Sequence, residues 1–138
     1  MNSEEKFTTI EPTENEVVET FFFDTYAFFE ILQGSKAYEI YEFAKIITTK
    51  LNLFELYLGI SRECGSDYAE RTLEKYYSFA KDFDQEVIIA AAKLKNFLNR
   101  RDVSMTDCIG YAMAKQLGIM FLTGNSAFEC MKNVKFVK

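Results

Sequence analysis

The residues of this chain that can do chemistry are carboxylates. Asp24 ends the apolar run Phe21-Phe22-Phe23, Glu55 interrupts the run Leu51-Asn52-Leu53-Phe54-Glu55-Leu56, and Asp107 closes Ser104-Met105-Thr106-Asp107. The 138 residues include no histidine. That removes Ser-His and Cys-His nucleophile pairs, imidazole acid/base catalysis and His-ligated zinc together. Cys64, Cys108 and Cys130 are odd in number and widely spaced, in no C-x-x-C pair. They suggest buried reduced thiols, not a disulfide framework or a zinc site. Neither G-x-x-x-x-G-K-[ST] nor G-x-G-x-x-G occurs, so phosphate-cradling loops of the nucleotide-binding kind are missing too. If the chain is an enzyme, acids are its reagents.

Each acid also has a plainer reading. Asp24 can serve only as the N-cap of the helix after it. Asp107 stands at capping-box spacing from Ser104, with Asp in place of the usual Glu. Glu55 falls with Asn52, Gly59 and Arg62 on one narrow stripe of an apolar helix. That stripe is either the helix's solvent face or the lining of a polar cleft. A glutamate so placed is costly without a partner.

What decides between these readings is whether the elements gather the acids. Residues 17–23 fit a central strand buried on both faces, with Asp24 at its carboxyl end. A short helix then runs from Thr25 to about Gln33 and stops at Gly34. Ser35 caps a second helix over 36–43. Thr48 or Thr49 opens a third, which reaches about Arg62 and is apolar nearly all round, hence expected to be buried. After the break at Gly65-Ser66 come an amphipathic helix over 67–79, a brief strand over 79–83, and a helix over 85–100 capped by Asp84. Ser104 opens a helix that runs to Leu117 and stops at Gly118. A second apolar strand over 119–123, the turn Gly124-Asn125-Ser126, a short helix over 127–131 and a strand over 134–137 complete the chain.

Strands alternating with helices predict an α/β fold with a mostly parallel sheet. In that arrangement helix starts lie at the carboxyl edge of the sheet, where ligand crevices form. Asp24, Asp107 and Asn125 all reach this edge. Glu55 joins them if its polar stripe faces the crevice.

The length suits one domain with a core that needs no staples. No apolar run is long enough to span a bilayer, and the polar start is not a signal peptide, so a cytoplasmic protein without membrane contact is expected. The net charge of −5 resides entirely in residues 1–20, where six acids face only Lys6. The remainder is electrically neutral, so the overall acidity is no argument against a nucleic-acid partner. Residues 1–16 read as an acidic mobile arm and 17–138 as a single domain. The arm either competes with a polyanion for the basic surface or is simply solvated. Lys93, Lys95, Arg100 and Arg101 form a basic cluster that is either a phosphate-facing patch for RNA or ordinary helix solvation.

Four short motifs, in their order and spacing, resemble the PIN domain family, and within it the VapC-type toxins and their stand-alone archaeal relatives. They are Asp24-Thr25 after a hydrophobic strand, Glu55 in N-L-F-E-L-Y, S-M-T-D ending at Asp107 with I-G-Y-A-M-A-K-Q-L-G-I soon after, and F-L-T-G-N-S-A-F-E before a closing V-K-F-V-K. The resemblance covers residues 17–138. It implies a three-layer α/β/α sandwich and a Mg²⁺- or Mn²⁺-dependent endoribonuclease, with an antitoxin that blocks the site and a homodimeric assembly. The donor chemistry agrees, because these hard ions prefer carboxylate and water oxygens. On this resemblance Asp24 and Asp107 are the principal metal ligands, and Glu55 is a ligand or a water-orienting base. Thr25 and Thr123 would hold carboxylates or water in place.

The sequence departs from the family at Asn125, where a fourth Asp is usual. An amide can offer its carbonyl oxygen but brings no charge, so a second ion should bind more weakly; Glu129 is a candidate substitute. Two functions therefore stand. One is a toxin-type ribonuclease whose antitoxin fills an aromatic groove around Phe28, Phe29, Tyr38, Tyr41 and Tyr57, residues that otherwise read as core. The other is a catalytically weak or inactive PIN scaffold that binds RNA or protein.

Overall fold

The structure is a computed structural model that describes residues 18–100 and 102–138. The expected acidic arm, Val17 and Arg101 lie outside the described residues. Strand β1 (Thr20–Phe23) leads into helix α1 (Thr25–Leu32), and a 3₁₀ segment (Lys36–Tyr41) precedes strand β2 (Lys45–Ile47). Helices α2 (Lys50–Cys64) and α3 (Ser66–Tyr76) form a hairpin around Gly65. Helices α4 (Gln85–Leu98) and α5 (Met105–Leu117) then lead to strand β3 (Met120–Thr123), a 3₁₀ turn (Ser126–Phe128) and strand β4 (Val134–Phe136).

The four strands form one sheet in the order β2-β1-β3-β4, and every pairing is parallel. In register, Phe22 lies beside Ile47 on one side and Phe121 on the other. Successive strand residues point to opposite faces, so β1 and β3 each feed two cores. Phe21, Phe23 and Leu122 pack with Phe28, Tyr38, Leu53 and Leu56. Phe22 and Phe121 pack with Val87, Ile109, Tyr111 and Phe128. Helices α1, α2 and α3 cover the first face and α4 and α5 the second, which makes a three-layer α/β/α sandwich with a parallel sheet, as expected. Burial on both faces is why β1 and β3 read as unbroken apolar runs. Each phenylalanine so buried contributes about 1.5–3 kcal/mol. No helix among the described residues is long and apolar enough to cross a membrane.

Several expected elements differ. Residues 36–41 wind as a 3₁₀ helix and not the expected α-helix. With three residues per turn, Tyr38 and Tyr41 eclipse one another, and both side chains enter the core. Strand β2 was not expected, since three residues between helices carry too short an alternation to register. The strand expected over 79–83 reduces to one bridge between Thr48 and Ala80, with Thr48 bonded to Phe79 and Lys81 just beyond β2. The short helix expected over 127–131 is a single 3₁₀ turn. Helix α2 is not buried all round, because Phe54 is 67% exposed.

Candidate functional site

Asp24 follows the last residue of β1 and caps α1, its Oδ1 accepting the Thr25 N–H at 2.9 Å. Capping uses only one oxygen. The other, Oδ2, accepts the hydroxyl of Thr123 from the end of β3 at 2.6 Å. Asp24 is only 2% exposed, so its carboxyl is pushed up to about 8, first by burial and then by the charge of Asp107. The bonds from Thr123 and Thr25 pull the other way, and Glu55 adds a smaller upward push.

Asp107 likewise performs its plainer role. It completes a capping box in which Ser104 N–H donates to its Oδ2 at 2.9 Å, while its own N–H donates to Ser104 Oγ at 3.1 Å. Burial raises its carboxyl as well, opposed first by the Ser104 bonds and then by the influence of Asp24. The two aspartates thus act on one another's ionisation. Capping and gathering are not alternatives here, because a helix start at the carboxyl edge is where an acid does both.

Glu55 reaches the site from α2. It is half-buried, and its Oε1 accepts the Thr25 hydroxyl at 2.8 Å. The polar stripe of α2 therefore turns inward to Thr25 near its start, while Arg62 at the other end is exposed. Asn52, one turn before Glu55, was legible only as a stripe member. The structure buries it completely and bonds its side-chain amide to Thr25 Oγ1 at 3.1 Å. Thr49, which caps α2, was read only as a possible helix start; its hydroxyl donates to Asn52 Oδ1 at 2.6 Å.

Asn125 lies at the same edge, its N–H donating to Thr123 Oγ1 at 3.1 Å. Its side chain is otherwise engaged. Oδ1 accepts the Ala127 N–H at 3.0 Å and Nδ2 donates to the Asp102 carbonyl at 3.2 Å. Glu129 is exposed. Among the described residues, no three His, Cys, Asp or Glu side chains are grouped closely enough to make a ready metal cage. What the edge offers instead is two aspartates that affect one another's ionisation, with Glu55 tied to Thr25 through one hydroxyl.

Two described members of the basic cluster are engaged locally. Lys95 Nζ donates to the carbonyls of Arg100 and Val103, at 3.2 and 2.6 Å, and so ties down the loop between α4 and α5. Arg100 makes a two-pronged pair with Asp102, the shorter contact 2.7 Å. Lys93 is exposed. The aromatics expected to line a groove are instead taken up by the core. Phe28, Tyr38 and Tyr41 are buried, and Phe29 and Tyr57 are half-buried against the same core. An open groove of about 480 Å³ between α4 and α5, lined by Val87, Leu94, Tyr111 and Lys115 among others, contains none of the three acids.

A family model described as PIN domain matches residues 21–133 of the 138. The chain belongs to the PIN domain family. Solved structures share this PIN fold. A chain of a toxin-antitoxin complex from Klebsiella pneumoniae matches with a TM-score of 0.67 at 17% identity, over 83% of this chain and 94% of that one. A chain of DNA-bound VapBC from Salmonella typhimurium matches with a TM-score of 0.64 at 19% identity, over 88% and 98%. A chain of VapBC2 from Rickettsia felis, bound to a DNA fragment from their promoter, gives 0.64 at 17% identity, over 86% and 99%. No curated protein matches the sequence.

Proposed function

We propose that this PIN domain is a divalent-metal-dependent endoribonuclease of the toxin-antitoxin type, acting in the cytoplasm with Mg²⁺ or Mn²⁺. The observation that carries the reading is the placement of Asp24, buried at the end of β1, and Asp107, half-buried at the start of α5, at the carboxyl edge of the sheet, where the charge of Asp107 adds to burial in raising the Asp24 carboxyl. Burying mutually repelling acids opposes folding, and a bound cation offsets that penalty. The donors are all oxygen, which fits hard ions. Two carboxylates and several waters are an ordinary Mg²⁺ environment, so the residues fit the ion without a three-acid cage.

When bound, the ion supplies positive charge that acidifies a water and offsets charge on the leaving oxygen of a phosphodiester. The side chains set the geometry. Asp24 and Asp107 would hold the ion, their orientations fixed by Thr123 and Thr25 in one case and Ser104 in the other. Glu55 keeps Oε2 available while Thr25 holds Oε1, which suits it to orient a water or take its proton. Asn125 would contribute at most a carbonyl oxygen. The similar structures are toxin-antitoxin and VapBC complexes, which supports a protein antitoxin as the partner that controls the activity.

Cleavage of a mixed RNA substrate in Mn²⁺ tests the reading. Cutting should stop with a chelator and fall at least ~100-fold in Asp24→Asn and Asp107→Asn. Undiminished cutting by both variants would overturn it. A second reading, an RNA- or protein-binding scaffold that does not cut, is favoured by Asn125, whose amide is occupied at both ends. RNA retained but uncut in Mn²⁺ would select it.

A further inference from the structure

We propose that Asn52 is a positioning residue for Glu55, acting through Thr25; this rests on the metal-centre reading above. A buried amide in the first turn of this helix, between Leu51 and Leu53, has no local need to be there. Thr49 already satisfies the Asn52 backbone N–H at 3.3 Å, as the cap of α2. A leucine at position 52 would leave that cap intact and remove the cost of burying an amide. The side chain is nevertheless wholly buried and bonded at both ends.

The bonds have a direction. Thr49 donates its hydroxyl to Asn52 Oδ1 at 2.6 Å, Asn52 Nδ2 donates to Thr25 Oγ1 at 3.1 Å, and Thr25 donates to Glu55 Oε1 at 2.8 Å. A threonine hydroxyl has one proton. Because Asn52 brings a donor to Thr25, the Thr25 oxygen must accept there, and its proton is directed to Glu55. A carboxyl oxygen accepts that proton, and the bond pins Oε1. That leaves Oε2 as the oxygen outside the relay. Position 52 thus sets which oxygen of Glu55 works, without touching substrate or ion.

Mn²⁺ binding, read as loss of the free-ion electron paramagnetic resonance signal, tests this without depending on RNA cleavage. Asn52→Leu and Thr25→Val should each weaken Mn²⁺ binding about tenfold. The double variant should be no weaker than either single one, because both break the same relay. Thr25→Ser, which keeps the hydroxyl, should bind as the unaltered protein does. If Asn52→Leu fails to fold, Asn52→Asp carries the same expectation: its carboxylate would accept the Thr25 proton and turn it away from Glu55. Folded Asn52 variants that bind Mn²⁺ normally, or losses that multiply in the double variant, would overturn the relay alone. An unaltered protein that binds no Mn²⁺ would instead overturn the metal-centre reading, and the relay with it.

Discussion

Thr123 and Asp24 stand 99 residues apart in sequence, and the hydroxyl of one donates to the carboxylate of the other across 2.6 Å at the ends of adjacent strands. The bond joins β1 and β3 just where their ladder finishes, and Thr123 Oγ1 also accepts the Asn125 N–H. One buried hydroxyl therefore fixes both the first acid of the site and the turn that follows β3.

Thr123→Val keeps the shape and strands both partners, so it should cost about 1–3 kcal/mol. It also removes a bond that lowers the Asp24 carboxyl, so Mn²⁺ binding near pH 7 should weaken too. Urea unfolding that shows a lower midpoint at unchanged slope, together with a Mn²⁺ titration, checks both effects. An unchanged midpoint would show that the bond contributes nothing.

Asp24 titrates near 8 in the folded chain against 3.8 as its ordinary value. Between those limits the folded state binds the extra proton. Its contribution to stability is therefore complete at acid pH, declines as pH rises, and levels off above about 8. Without metal, the protein should lose about 1–3 kcal/mol between pH 6 and pH 8, and Asp24→Asn should flatten that slope. Mn²⁺ competes with the same proton, so its stabilising effect should be larger at pH 8 than at pH 6. Thermal unfolding across this range, with and without Mn²⁺, measures the sign directly.

The two central strands and the caps were legible because their signals are local: apolar runs for β1 and β3, and Asp84, Ser104 and Gly118 at helix ends. The edge position of Asp24 and Asp107 followed from topology alone. The direction of individual bonds did not. Asn52 reads as one polar residue among several, and only packing shows that it is buried and aimed at Thr25. Lys95 and Arg100 read as free charge because the loop carbonyls and Asp102 that engage them are neighbours only after folding. The aromatic groove failed for a related reason: composition reveals aromatics but not which of them the core consumes.

Gly124 follows Thr123 where backbone and ring crowd the same space. A Cβ there would meet the Tyr26 ring within 2.4 Å and the Val137 carbonyl oxygen at 2.6 Å. The ring can turn, but the carbonyl belongs to the segment after β4. Gly124→Ala should therefore cost about 1–3 kcal/mol through overpacking and displace the Thr123 hydroxyl from Asp24. A midpoint shift in urea unfolding larger than that of Gly34→Ala, where a Cβ has open space but φ is +77, would fit close approach as the reason for this glycine.

Asn125 is where this chain departs from the acids its resemblance implies, and restoring the charge separates its two roles. Asp caps a turn as well as Asn, so Asn125→Asp should keep the bond from Ala127. It loses the donor to the Asp102 carbonyl and places a carboxylate there, for a cost of about 0.5–1.5 kcal/mol. If the site is limited by missing negative charge, the same change should tighten Mn²⁺ binding and lower the metal concentration needed for RNA cleavage, most clearly at pH 8 where Asp24 can ionise. If Asn125 serves only as a cap, the stability loss should appear alone. Parallel Mn²⁺ titrations of the two proteins, followed by unfolding in the absence of metal, distinguish a weakened nuclease from a fold whose fourth position has been given over to structure.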